Sequence, residues 1–369
     1  MEKYKLLYLR RFLQRKEGLD VESCISELEK LKEEAIKCYD DIEDVNDSLF
    51  CNMLLLDGCF VVEFIRERCQ IIPTGEDMII NIKAGNLFLD MMLLENQLPF
   101  FDVNKLHQMT KQDNEFPLAI LTNNSFTFLV GLPKMTPESF NKTKCNAANI
   151  KHLLHAVHIF SCYGIPMKKS KDDIRWHKVI PNATEFSEAG VSFEKVKNIN
   201  GNKDSINIMT SLFDIKFENG LMKIPCFPIA DETETLVRNL IAYEQQSSDV
   251  QPKYFSDFAI FMDYLIDSEK DVNLLRQKGI IVNWIGEDKE VANLFNKIGN
   301  GVTVYSNFYY KEECLKAAEH CEKPWNRMKA NLKHNYFSSP WVGASTVAAT
   351  ILLLLTTIQT ILAFTCAFK

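Results

Sequence analysis

Residues 335–368 carry no charged side chain, and nothing else in the 369-residue chain limits its folding options as tightly. A bilayer core about 30 Å thick is crossed by about 20 helical residues rising about 1.5 Å each. The run from Trp341 through Leu354 to Phe364 and beyond is longer than that. Its polar members are mainly Thr and Ser, which bond back to their own helix and are tolerated in lipid. Tyr336, Phe337 and Trp341 stand where an interfacial aromatic belt would. The expectation is one C-terminal transmembrane anchor over residues 336–369, in contact with membrane lipid.

The flanks orient it. Lys323, Arg327, Lys329 and Lys333 precede the apolar run and only Lys369 follows it. The positive-inside rule places residues 1–335 in the cytosol as one large domain. No signal peptide opens the chain, because charges interrupt the apolar residues of the first segment. A glycolipid-anchor signal would need such a leader. The expected topology is single-pass and tail-anchored.

Residues 1–335 read as mainly helical with a small antiparallel sheet. Gly18–Asp20 separates two helical patterns, the second spacing Val21, Cys24, Ile25, Leu28, Leu31, Ala35 and Cys38 along one face. The helix after Asp47, expected to be its cap, is apolar nearly all round and therefore central. A second buried helix is expected from Asn86, stopped or kinked at Pro99. Residues 110–149 are polar and Asn-rich, which predicts a connecting segment. Ile150–Cys162 is helical, ending at Gly164 and Pro166. Around Asn219-Gly220, residues 212–225 alternate as a hairpin with a type I′ turn. That register pairs Phe217 with Met222 and sets Lys216 against Lys223, with residues 190–195 as a third strand. The hairpin tip and its outer charges are expected to be exposed. Asp231 and Glu234 suggest a capping box, and helices continue to about Lys333.

Candidate chemistry is sparse. Asp57, Glu63, Asp90 and Glu95 fall in the most apolar helices, where a buried carboxylate must be paired, hydrogen-bonded or protonated. Pairing with Arg66, Arg68 or Arg238 is expected, and an acid/base pair is the catalytic alternative. His152, His155 and His158 fan across the side of their helix opposite the apolar stripe. They read as a polar face, since no carboxylate completes a metal set. Cys59 lacks the electropositive setting of a reactive thiolate. The 11 cysteines include no C-x-x-C and fit reduced cytosolic thiols. Sequons at Asn46, Asn123, Asn141 and Asn182 would go unused in the cytosol. The net charge of −7 disfavours nucleic acid. No dinucleotide, P-loop, kinase or hydrolase fingerprint is present, so neither a cofactor nor an enzymatic activity is expected.

Several long segments carry a family resemblance: Leu54-Leu-Leu-Asp-Gly-Cys-Phe-Val-Val-Glu, Leu93-Leu-Glu-Asn-Gln-Leu-Pro-Phe-Phe, Pro181-Asn-Ala-Thr-Glu-Phe-Ser-Glu-Ala-Gly-Val, Leu236-Val-Arg-Asn-Leu-Ile-Ala-Tyr-Glu-Gln, and Trp325-Asn through Tyr336-Phe. The chain resembles the plant domain-of-unknown-function 247 family, also called uncharacterised protein family 0481, from end to end. That family tends to end in a single membrane helix and has no assigned catalytic residues. Its members carry several tens of residues ahead of the segment matching 1–14, so an N-terminally shortened chain is implied. Some grass members are connected with pollen–stigma self-incompatibility. The resemblance therefore implies recognition or signalling through an unidentified protein partner. An enzyme of unrecognised class, using the buried carboxylates, is the alternative.

Overall fold

A computed structural model describes residues 2–40, 46–69, 86–130, 135–142, 149–163, 165, 180–196, 211–303, 307–337 and 340–367. The chain opens with α1 (Glu2–Gln14), α2 (Val21–Glu29) and α3 (Lys32–Ile36). Asp20 caps α2 by accepting from the Ser23 N–H at 2.8 Å. Next comes α4 (Asp47–Cys69), then α5 (86–92), a 3-10 turn at Leu94–Asn96, α6 (Phe100–Thr110), α7 (Leu118–Val130), α8 (Pro137–Lys142), α9 (Leu153–Ser161) and α10 (Ala183–Glu188). As its all-round apolarity requires, α4 is central, with α1, α2, α6 and α7 packed on it. Its cap is Asn46, whose Oδ1 accepts from the Ser48 and Leu49 N–H groups at 3.0 and 3.4 Å. Asp47 instead reaches Lys32 at 2.6 Å.

The second buried helix is broken earlier than Pro99. Gln97 Nε2 donates to the Met91 and Leu93 carbonyls, both at 2.7 Å, and the Leu94 N–H finds Asn239 Oδ1 at 2.8 Å. With those backbone groups satisfied from elsewhere, the helix can end at residue 92, and Pro99 becomes the residue before α6. Residues 110–149 are not simply a connection, because α7 and α8 lie within them. Thr122, Asn123 and Ser125 are buried. Ser125 Oγ bonds to the Leu121 and Ile65 carbonyls at 2.9 and 3.1 Å, which is how small polar side chains enter a packed helix. Gly164 and Pro166, the expected stop of α9, lie outside the described residues.

The second half holds β1 (Ser192–Lys195), β2 (Lys216–Glu218), β3 (Leu221–Ile224), β4 (Phe227–Ile229), α11 (Thr233–Gln246), α12 (Tyr254–Leu265), α13 (Glu269–Gln277), β5 (Ile281–Asn283), α14 (Asp288–Gly299), α15 (Lys311–Glu322), α16 (Pro324–Tyr336) and α17 (Pro340–Ala367). The hairpin β2–β3 turns through Asn219 and Gly220 at φ 51° and 79°. Lys216 sits opposite Lys223 and Phe217 opposite Met222, as the two-residue turn dictates. The third strand, β1, pairs with β3 in parallel, so the sheet is mixed rather than antiparallel. The return that a parallel pair needs is made by β2, which runs antiparallel to both and lies on the far side of β3 from β1. A second, parallel pair joins β4 to β5 and has no alternating signal in the sequence.

Lys216, Glu218 and Asn219 are exposed as expected, but Gly220 at the hairpin tip is not free. A Cβ on Gly220 would stand 2.8 Å from the His320 ring, and Gly220 is buried. The expected box at Asp231 does not form. Thr233 Oγ1 accepts from the Ala230 N–H at 2.9 Å instead, while true capping boxes occur at Asn182–Glu185 and Ser268–Asp271. The helix expected from Lys311 to about Lys333 is two helices, divided where Pro324 takes the first position of α16.

Two helices, α4 and residues 341–363 of α17, are long and apolar enough to cross a membrane. On α17, Trp341 and Leu354 are exposed; the side chain of Phe364 lies outside the described ones. Thr346, Thr350 and Thr360 hydroxyls donate to the carbonyls four residues back at 2.7–2.8 Å.

An acid-rimmed cleft as candidate functional site

The four candidate carboxylates have two different fates. Glu63 is the one that burial governs, at 3% exposure. Arg15 of the segment after α1 grips it with two bonds, Nε–Oε1 at 2.6 Å and Nη2–Oε2 at 2.7 Å. Arg66, one turn on, adds Nη1–Oε1 at 2.8 Å. The other edge of that guanidinium holds Glu115 at 2.6 and 3.0 Å and the Thr110 hydroxyl at 3.0 Å. His107 Nε2 lies 3.3 Å from Glu115. Burial raises the Glu115 carboxyl, but His107 and Arg66 outweigh it and hold it down to about 2. Such a closed, charge-assisted network fixes α4 against α6 and the α1–α2 connection. Neither oxygen of Glu63 is left to move a proton.

Asp57, Asp90 and Glu95 meet elsewhere. Asp57 is half-buried on α4 and pairs with Lys5 Nζ of α1 at 2.5 Å, not with an arginine. Arg68 lies over the Phe88 ring and Arg238 bonds Glu234. Asp90 and Glu95 are exposed, contrary to expectation. Helix α5 is short, so Asp90 reaches its outer side, and Glu95 sits on the solvent side of the 3-10 turn. All three carboxylates and Lys5 line one cleft of about 270 Å³, floored by Phe60, Leu87, Met91 and Leu98. That volume lies at the lower limit for small-molecule pockets and suits one side chain or one small ligand. Among the described residues, the Asp90 and Glu95 carboxylates have no hydrogen-bond or ion-pair partner. Three negative groups against one ammonium make a rim that attracts cations.

Among the described residues, the lining of the cleft contains no Ser, Cys or His. The Tyr39 hydroxyl donates to the Gln97 carbonyl at 3.3 Å, and burial, then Asp102, pushes its phenol well up. Asp102, on α6, is 2% exposed, and neither carboxylate oxygen has a hydrogen-bond partner among the described residues. Burial, then Glu34, pushes it up to about 7.

The three histidines are not a wet face either. Their rings surround Tyr243 of α11, with centroids 5.2, 5.3 and 5.5 Å away. His152 Nδ1 caps α9 by accepting from the His155 N–H at 3.2 Å, and His155 Nδ1 accepts from the Lys151 N–H at 3.1 Å. Burial, then cationic neighbours, lowers His152 to about 4 and His155 to about 3. His158 Nε2 lies 2.8 Å from Glu244 Oε1 and 3.7 Å from Cys162 Sγ. One nitrogen serves both neighbours, so the cluster lacks the relay geometry of a thiol protease. Burial, then Glu244, pushes the Cys162 thiol far up, and burial does the same to Cys59. No group of three or more potential ligands for a metal occurs among the described residues.

Several buried carboxylates escaped sequence reasoning, Asp102, Glu244, Asp257 and Asp271 among them. Glu244, fully buried, accepts from the Phe255 and Ser256 N–H groups at 2.9 and 2.8 Å and from Ser256 Oγ at 2.8 Å. It thus caps the first turn of α12 from α11. Asp271, also fully buried, accepts from Ser268 and from the Thr184 N–H and hydroxyl at 2.8 and 2.6 Å. Both stand on amphipathic helices, where a polar residue on the inward side was the available signal.

No solved structure matches the chain. UPF0481 protein At3g47200 of Arabidopsis thaliana is 25% identical over 98% of this chain and 78% of its own. The putative UPF0481 protein At3g02645 of the same plant is 21% identical over 97% and 82%. Residues 1–355 match the family model DUF247, described as plant protein of unknown function, and the chain belongs to that family.

Proposed function

We propose that the chain is a membrane-tethered binding protein, with α17 spanning a bilayer and the helical domain presenting its acid-rimmed cleft to a protein partner in the cytosol. One observation carries the reading: the apolar window 341–363 is 0% buried within the protein. About 23 residues at about 1.5 Å each suffice for the hydrocarbon core, and the basic residues of α16 mark the cytosolic side. Binding is favoured over catalysis because Glu63 is neutralised by two arginines. The unpartnered Asp90 and Glu95 suit a Lys or Arg side chain of the partner.

Deleting residues 340–369 is expected to move the protein to the soluble fraction of plant-cell lysates. Recovery of the truncated chain in membranes after a high-salt wash overturns the tether. For the cleft, Asp90→Lys with Glu95→Lys should lower recovery of the proteins that co-purify with the full chain. Unchanged recovery by a folded double variant removes the cleft from the reading.

A further inference from the structure

Helix α16 buries none of its 13 residues. Its contacts with the domain lie along one side. Asn326 Nδ2 donates to the His320 carbonyl of α15 at 2.7 Å, and His334 lies 3.5 Å from Glu188 of α10. Trp325, Met328, Leu332 and Tyr336 fall together on the opposite side, within about 80° at about 100° per residue. They are 77%, 53%, 51% and 51% exposed. Four large apolar side chains in a row facing water mark a contact surface rather than ordinary surface scatter.

Charge and continuity identify what covers this stripe. Residues 323–337 contain Lys323, Arg327, Lys329 and Lys333 and no acidic residue. Lys333 stands beside the apolar stripe, whereas Lys329 reaches back to the domain, its Nζ 3.4 Å from where a Cβ on Gly190 would stand. The helix also ends at the membrane segment. The Phe337 ring lies 3.1 Å from where a Cβ on Gly343 would be, and Thr346 Oγ1 donates to the Tyr336 carbonyl at 3.3 Å. The end of α16 is therefore held against the first turns of α17. Wherever α17 enters a bilayer, Tyr336 sits at headgroup level.

We infer that α16 lies in the cytosolic headgroup layer of an anionic membrane, its Trp325–Tyr336 stripe turned toward the acyl chains and Lys333 on lipid phosphate. A basic helix with an aromatic and aliphatic face takes that position. The inference rests on the reading that α17 spans the bilayer. It turns the tether into a platform that fixes the height and facing of the domain above the lipid.

The test uses full-length chains reconstituted into phosphatidylcholine–phosphatidylserine vesicles, with lipids brominated in the upper acyl chain as quenchers. Three chains each keep a single tryptophan, at 325, 341 or 284, the others being Phe. Emission from Trp325 is expected to fall by about half, as for a ring about 5–10 Å into the interface, while the exposed Trp284 stays bright. Lys333→Glu should weaken the Trp325 quenching. Trp325 as bright as Trp284 overturns the inference, whether the stripe faces water or another protein. Trp341 separates the two failures: if it is quenched, α17 still enters the bilayer; if it is bright, the tether falls as well.

Discussion

The apolar spans of α4 and α17 are both 23 residues long, with mean hydropathy 1.8 and 2.0, and each is built to leave water. Of its apolar window, α4 has 67% buried inside the protein; α17 has 0%. Apolarity sets the direction of transfer, but charge sets the destination. Every charged group along the middle of α4 is answered by a neighbour: Asp57 by Lys5, Glu63 by Arg15 and Arg66, and Glu67 by the Tyr8 hydroxyl at 2.7 Å. All of those answers but Arg66 come from other parts of the chain, so the helix is committed to a protein interior. Helix α17 carries no charge and satisfies its threonines from its own backbone, so it needs no protein around it. Gly58 adds to the commitment of α4, since a Cβ there would stand 2.5 Å from Leu106 of α6.

The difference is broken most directly by one substitution made twice. Leu54 is 1% exposed on α4 and Leu354 is 58% exposed on α17. Leu54→Ala removes buried methyl groups and leaves a cavity, at a cost of about 2–5 kcal/mol. Leu354→Ala should change unfolding of the domain by no more than about 0.5 kcal/mol. Denaturant titration of the reconstituted full chain measures both. Equal losses would mean that α17 is packed into the domain.

A smaller effect comes from the carboxylate that breaks the rule around α4. Asp102 faces Glu34, Cys38, Tyr39 and Cys51 and has no cationic partner among the described residues. Its folded value of about 7 stands above the ordinary 3.8. Between those values the folded chain keeps a proton that the unfolded chain has lost. Stability therefore declines as pH rises through that window and levels off above about 7. Asp102→Asn cannot ionise, so at pH 8 it should be more stable than the wild type by about 1–3 kcal/mol. Asp257, also raised to about 7 by burial, leaves part of the slope in the variant. Thermal melts from pH 4 to pH 8 decide the matter. A variant no more stable at pH 8 refutes the buried-acid assignment.

Which parts were legible follows the same line between local and distant interactions. The helicity of α17, the centrality of α4 and the Asn219-Gly220 turn are written in short stretches of side chains, and each formed as its pattern demands. Residues 190–195 were legible as a third strand, but their parallel pairing with β3, nearly thirty residues on, leaves no local trace. The burial of the first part of α7 depended on small polar side chains such as Ser125 bonding to neighbouring backbone, which composition disguises as loop. Asp90 and Glu95 were misplaced because apolar neighbours in sequence do not show which side of a short helix faces out. Asp57 was assigned a partner from the arginines, while the ammonium that answers it sits on α1, some fifty residues earlier. Pairing of that reach is set by packing and cannot be spaced out along one helix.

The Lys5–Asp57 pair carries the smallest expected effect and sharpens the comparison furthest, because it is the only one of α4's pairs that lines the cleft. The side chains are 23% and 29% exposed, so water and salt screen the attraction. A full-chain cycle of Lys5→Met, Asp57→Asn and the double variant should give a coupling of about 0.2–1 kcal/mol. Raising salt to about 1 M, where the screening length is about 3 Å, should reduce it further. A coupling of several kcal/mol would mean that the pair is desolvated like Glu63 with Arg66, and that the cleft is closed in solution. A small, salt-sensitive coupling leaves Lys5 free to yield its place on Asp57 to an incoming cation. The charges of α4 then divide by depth: the deep ones hold the helix in the domain, and the shallow one is available to a partner.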